Sequence, residues 1–270
     1  MSSKDVAHPD PTAVLDTVAK FFRTMTKAGA PMEVFVPPMQ SVAKRQNLVH
    51  FLNLGCPKVD GSGVIDTTPT SQDLAKLILG PDFLSPEEIA TTRGLVYSDE
   101  QLETFDTTFP GIEQIAWCKG NGYLLLPNPP KAMSLLEVRD LDRQLFITPE
   151  GGWYSEQAFA RNDKTTIGGW LAVRKDYYPQ SLNLKWKDQQ KLIVSPEYVP
   201  NAGEVTWVLT TYAVVRNVRL LPNLYARTSS VGSDGDHVDV GSFDAGGLFV
   251  YYDWDDDRSD FLGVASARKF

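Results

Sequence analysis

Residues 200–215, PNAGEVTWVLTTYAVV, carry the best helical pattern in the chain. Asn201 stands where a helix cap is needed, and Glu204 three residues on completes a capping box. In that arrangement each side chain satisfies a backbone N–H of the first turn. Val205, Val208, Leu209, Tyr212 and Ala213 then share one stripe at the 3.6-residue period. Downstream the period changes to two. Val238 and Val240 point one way and Asp239 and Gly241 the other; Leu248 and Val250 point inward and Phe249 and Tyr251 outward. Upstream, IGGWLAVRK (167–175) reads as a strand among glycine pairs and short apolar runs. From about residue 150 onward the pattern is loop-rich α+β.

Before residue 150 the pattern is mainly helical, with proline-rich turns. Asp10 and Pro11 open a helix with Val14, Val18, Phe21, Phe22 and Met25 on one face. Ser41 caps a second, running toward Asn53, and TSQDLAKLILG (70–80) makes a third that stops at Gly80. SPEEIA (85–90) starts another, with Ser85 as cap, Pro86 at the first position and Glu87 and Glu88 in the first turn, where the helix dipole favours anions. GYLLLPNPP (122–130) reads as a short strand that ends in an extended turn. The expected organisation is an N-terminal region, 1–150, of unassigned role and a C-terminal α+β domain, 151–270.

The composition excludes several classes. The 270 residues are 42% apolar and 22% charged, values of an ordinary globular chain. A net charge of −8 argues against a nucleic-acid backbone as partner. No run approaches the length of a membrane span, and the first residues, MSSKDVAHPDPT, lack the basic-then-apolar order of a secretory signal. Cys56 and Cys118 are too few for a disulfide framework or a zinc cluster and are expected to be reduced and buried. A cytoplasmic or virion-associated protein is expected.

The tail is unusual. VYYDWDDDRSDF (250–261) crowds five aspartates around two tyrosines and a tryptophan, and Arg227–Phe270 contains nine Asp but no Glu, Asn or Gln. Asp253, Asp255 and Asp257 are spaced like the opening of an EF-hand loop. Arg258 stands where that loop needs glycine, however, and no glutamate closes it, so a solvated acidic loop is the better reading and no metal is expected. His8, His50 and His237 lie outside any nucleophile or metal motif, and neither cysteine sits in one. No catalytic residue, cofactor or enzymatic activity is expected. Tyr251, Tyr252 and Trp254, interleaved with short polar residues, have the composition of recognition loops, in which rigid rings supply contact area at small entropic cost.

The missing residues are informative as well. Replacing the adenines of an asparagine codon yields Asp, Tyr, His, Ser, Gly, Thr, Ala, Val or Phe among others, but never Glu, Gln, Lys, Met or Trp. Residues 227–268 contain no Glu, Gln, Lys or Met and a single Trp. In this the tail resembles the variable proteins of diversity-generating retroelements, whose 3′ coding region is rewritten by error-prone copying at adenines. The stretch VPNAGEVTWVLTTYA (199–213) is similar to the proline-led, tryptophan-containing helix of the formylglycine-generating-enzyme branch of the C-type-lectin fold. RSDFLGVASARKF (258–270) is similar to its closing strand, with Arg258, Gly263 and Arg268 in matching places. The resemblance covers roughly 165–270 and implies a C-type-lectin-like domain with a variable region at about 227–270. Enzymes of that branch carry their reactive cysteines inside the lectin-like part; here both precede it, so the resemblance implies binding in place of catalysis. An enzyme of the formylglycine-generating type, or a virion or structural component with a fixed partner, is the alternative.

A surface that tolerates many sequences needs a backbone independent of them. Val231, Val238, Val240, Phe243, Leu248, Val250, Leu262 and Val264 are the expected anchors, with Gly241, Gly247 and Gly263 at turns or close approaches. The expected ligand-facing positions are Ser233, Asp234, Asp236, His237, Asp239, Ser242, Asp244, Phe249, Tyr251, Tyr252, Asp253, Asp255, Asp256, Asp257, Ser259, Asp260 and Phe261. Nine Asp against three Arg and one Lys give the tail −5, so a protein ligand presenting Lys or Arg is the expected partner.

Overall fold

A computed structural model describes residues 58–59, 65–66 and 70–270. The helices expected to open at Asp10 and Ser41 lie outside them, as do His8, His50 and Cys56. Two compact units are present, one formed by 1–80 with 111–120 and the other by 81–110 with 121–270. In the first, β1 (Lys58–Val59) pairs antiparallel with β2 (Ile65–Asp66). Its helix α1 (Ser71–Leu79) begins at a Thr70–Asp73 capping box and stops at Gly80, as the sequence predicts.

The second unit opens with α2 (Pro86–Arg93), whose cap is the expected Ser85 with Glu88 reaching back. After α3 (Asp99–Thr107) the chain passes through α4 (Ile112–Asn121) of the first unit, where Cys118 is buried. There follow β3 (Tyr123–Pro127), α5 (Leu135–Leu141), the short α6 (Phe159–Asn162), β4 (Trp170–Arg174), α7 (Trp186–Leu192) and β5 (Glu197–Tyr198). The helix predicted from residues 200–215 is α8 (Ala202–Arg216), capped by Asn201 with Glu204 in a capping box. The chain ends in β6 (Tyr225–Val231), β7 (His237–Asp244), β8 (Gly247–Tyr252), β9 (Leu262–Val264) and β10 (Ala267–Arg268).

The strands form two four-stranded sheets in the orders β3-β4-β10-β5 and β8-β7-β6-β9, so this part of the chain is α+β. Helix α8 lies between them. Val205, Leu209 and Ala213 pack with Val238, Val240, Phe243, Leu248 and Val250 of the second sheet. Trp207, Val208 and Tyr212 pack with Leu124, Leu126, Leu171 and Val173 of the first. The single stripe read from the sequence is therefore too narrow. Every residue from Ala202 to Ala213 is buried, as a helix covered on both sides requires.

The boundary expected near residue 150 does not divide the structure. Strand β3 pairs along its whole length with β4, and Leu135 and Phe146 join the core of the second sheet. Among the expected anchors, Val238, Val240, Phe243, Leu248, Val250, Leu262 and Val264 are buried, but Val231 is 42% exposed. The cause is the alternation of β6 itself: Ala226 faces the core, so Ser230, four residues on, faces inward and Val231 faces outward with Arg227. The Ser230 hydroxyl donates to Asp163 and accepts from the Ala202 amide.

Gly241 and Gly263 make the close approaches expected of them. A Cβ on Gly241 would lie 2.1 Å from the Leu224 carbonyl oxygen, and one on Gly263 would lie 2.3 Å from the Tyr177 Cβ.

Candidate functional site

The inner face of the β8-β7-β6-β9 sheet is core, and the alternation of β6, β7 and β8 sends Tyr225, Arg227, His237, Asp239, Phe249 and Tyr251 to its other face. The register puts Asp239 opposite both Arg227 and Tyr251. Across this face runs the acidic loop, residues 253–261, leaving β8 and returning to β9.

That loop is held by its main chain. Arg227 is wholly buried, and its Nη2 donates to the Trp254 carbonyl at 2.7 Å. Its Nη1 donates to the Gln189 side chain at 3.2 Å and, more weakly, to the Asp257 carbonyl at 3.5 Å. The Trp186 amide donates to the Asp255 carbonyl at 2.9 Å, Asn183 to that of Ser259 at 2.8 Å and Tyr225 to that of Phe261 at 2.8 Å. None of these bonds involves a side chain of the loop. Arg227, Trp186 and Gln189 are thus the residues that shape the site, and sequence reading missed all three. The one available signal was a lone arginine entering a strand directly before the aspartate-rich segment.

One side-chain knot ties the loop to the β6–β7 turn. The Asp236 carboxylate accepts from the Asp255 amide at 2.9 Å, and the Asp255 carboxylate accepts from the His237 amide at 3.0 Å and meets its Nδ1 at 2.9 Å. The His237 ring stacks on Trp186 at 3.8 Å. Exposed Asp234 and Ser233 lie in the same turn, and the Ser233 amide donates to Gln157.

Tyr225 forms the centre of an aromatic group, with Phe249 and Phe261 at 6.4 and 6.3 Å between ring centroids. Ser242, at a left-handed φ of 43°, bonds the Tyr225 hydroxyl. A cleft of about 450 Å3 opens beside this group, lined by Asn183, Asp253, Asp257, Arg258, Ser259, Asp260 and Phe261. Exposed Asp256 pairs with Lys185 at 2.7 Å.

Three of the expected ligand-facing residues stand elsewhere. Asp239 has no exposed surface, because the face its alternation chose is itself covered. Burial, then the charge of Asp253, push its carboxyl up to about 8, and the Arg227 charge restores only part of the difference. Neither of its carboxylate oxygens accepts a hydrogen bond from another residue. Asp244 is exposed in the β7–β8 turn, where it accepts from the Gly246 amide. The length of β7, at about 3.3 Å per residue, separates it from His237 by roughly 23 Å. Half-buried Tyr252 stacks beside Tyr251 at 5.8 Å but is packed on Trp153 at 4.8 Å. The other fourteen line the loop, the β6–β7 turn and the outer sheet face.

The three EF-hand-spaced aspartates diverge. Asp255 is engaged by His237, Asp253 is half-buried and Asp257 is exposed. Among the described residues no group of three His, Cys, Asp or Glu side chains is arranged to hold a metal ion, and no helix is long and apolar enough to cross a membrane. No protein-family model, curated protein or solved structure matches the chain.

Proposed function

We propose that the chain is a diversified ligand-binding protein, in which a C-type-lectin-like frame displays the side chains of loop 253–261, of the β6–β7 turn and of the outer sheet face to a protein ligand. The observation that carries this reading is the way the loop is held. Buried Arg227 and Trp186 and half-buried Tyr225 bind its carbonyl groups, which every amino acid has, so apart from the Asp236–Asp255–His237 knot the outward side chains are not needed to set its path. Preorganised in this way, the loop binds without a large ordering cost. The lectin-like reading is supported by the central, doubly covered α8 and by the return of β10 to pair between β4 and β5.

The test is genetic. The gene of a diversified protein has a near-identical repeat of its 3′ end nearby, differing at adenine positions, and sister copies of the gene differ at codons within 233–261. Uniform, synonymous variation across the whole gene would overturn the proposal and favour a fixed partner or an enzyme.

A further inference from the structure

The cleft beside Phe261 lies on a carboxylate pair without a cation of its own. Asp253 lines it, half-buried. Beneath, Asp239 faces the same side of the sheet, and Asp253 is its principal charged neighbour. Both oxygens of Asp239 lack a donor from any other residue, although the side chain is fully buried. An aspartate in that position ordinarily has a hydrogen-bond donor or a counter-ion.

The nearest cation does not fill the role. Arg227 stands opposite Asp239 in the ladder, but its Nη groups are directed at the Trp254 and Asp257 carbonyls and at Gln189. The charged and titratable groups around Asp239 are thus Arg227 and Tyr225 of β6, Tyr251 of β8 and Asp253 of the loop, and they include one cation for two carboxyls. His237, next on its own strand, is occupied by Asp255. Burial raises the Asp253 carboxyl too, with Asp257 adding to the shift and Arg227 opposing it.

The rest of the cleft suits a flat cation. Phe261 is 48% exposed at its wall, and Tyr225 and Phe249 continue the aromatic surface behind it. A guanidinium stacks on an aromatic ring and pairs with a carboxylate through two parallel N–H donors, where an ammonium offers a single point charge. Asp257 and Asp260 at the rim outnumber Arg258 and favour entry of a cation.

We infer that this cleft is a subsite for an arginine side chain of the protein ligand, with Asp253 accepting its guanidinium and Phe261 stacking on it, above the buried Asp239 carboxyl that no other residue bonds. The inference rests on the display reading proposed above and specifies what this sequence of the display surface selects.

The test uses the full chain and two small probes, N-acetyl-arginine amide and its uncharged isostere N-acetyl-citrulline amide, followed by NMR amide shifts. The arginine probe is expected to bind in the millimolar range and to shift resonances of 253–261, while the citrulline probe binds about tenfold more weakly or not at all. Asp253→Asn is expected to weaken the arginine probe about tenfold, and Phe261→Ser severalfold, with unchanged circular dichroism in both. Equal binding of the two probes, no binding of either, or an unaltered affinity in Asp253→Asn overturns the subsite. A chain that rejects arginine yet keeps its fold when the loop side chains are replaced loses only the subsite. One that unfolds on such replacement loses the display reading itself.

Discussion

Replacing Asp239 by asparagine separates the buried carboxyl from everything else that titrates. In the folded chain the carboxyl is pushed up to about 8 by burial and by Asp253. In the unfolded chain an aspartate ionises near about 3.9. Between these values the folded state binds one more proton than the unfolded state, so this residue makes stability fall as pH rises. Its contribution is fully present below about pH 4 and is lost as pH climbs through about 8, at about 1.4 kcal/mol per unit. From pH 5 to pH 8 the loss sums to about 4 kcal/mol.

Asparagine keeps the shape and cannot ionise. Urea unfolding of both proteins, followed by tryptophan fluorescence at intervals from pH 5 to pH 8, gives the difference in stability at each pH, and contributions from other groups cancel. Asp239→Asn is expected to exceed the native chain by about 1.5 kcal/mol at pH 5, where the aspartate of the unfolded chain is already ionised, and by about 5 kcal/mol at pH 8. A difference constant within about 0.5 kcal/mol over that range would refute the reasoning, because it would mean that Asp239 has solvent or a partner in the folded state.

Two further substitutions probe the frame. Arg227→Met keeps most of the side-chain volume but deprives the Trp254 and Asp257 carbonyls of their donor; it is expected to cost about 3 kcal/mol and to speed amide exchange in 253–261. Unchanged exchange there would show that the loop is held by other means. Gly241→Ala puts a Cβ where 2.1 Å separates it from the Leu224 carbonyl oxygen and is expected to cost about 1–3 kcal/mol, measured by the same urea titration. Stability equal to the native chain would mean that the β6–β7 ladder can open there freely.

The local pattern in the sequence was sufficient for α8 and its N-terminal cap, for β3 and β4, and for the inward set Val238, Val240, Leu248 and Val250, because capping chemistry and period-two alternation act within a few residues. What was not legible depends on contacts distant in sequence. Alternation placed Asp239 correctly on the second face of β7, but only the course of loop 253–261 determines that this face is covered. Ser230 is buried and Val231 exposed because Ala226 faces the core, and which face of β6 is the core depends on partners distant in sequence. The boundary set near 150 fails for the same reason. GYLLLPNPP reads as one isolated strand until its partner, β4, lies beside it. The gathering of Asp236, His237 and Asp255 with Asp253, Ser259 and Phe261 follows from the return of β9 alongside β6, a parallel pairing that strand patterns do not announce. Arg227, which the loop most depends on, has no local signature beyond its position.

The central claim is that the frame does not depend on the side chains it displays, and a library measures this directly. Asp234, Tyr251, Asp256, Asp257, Asp260 and Phe261, all exposed, would be randomised together among Asp, Asn, Ser, Tyr, Gly and His. Resistance of each variant to a protease would then be scored across a urea gradient. Surface substitutions of this kind typically shift stability within about 0.5 kcal/mol each, so most variants are expected to unfold within about 2 kcal/mol of the native chain. A population in which most variants are cleaved without urea, while the native chain resists, would contradict the account.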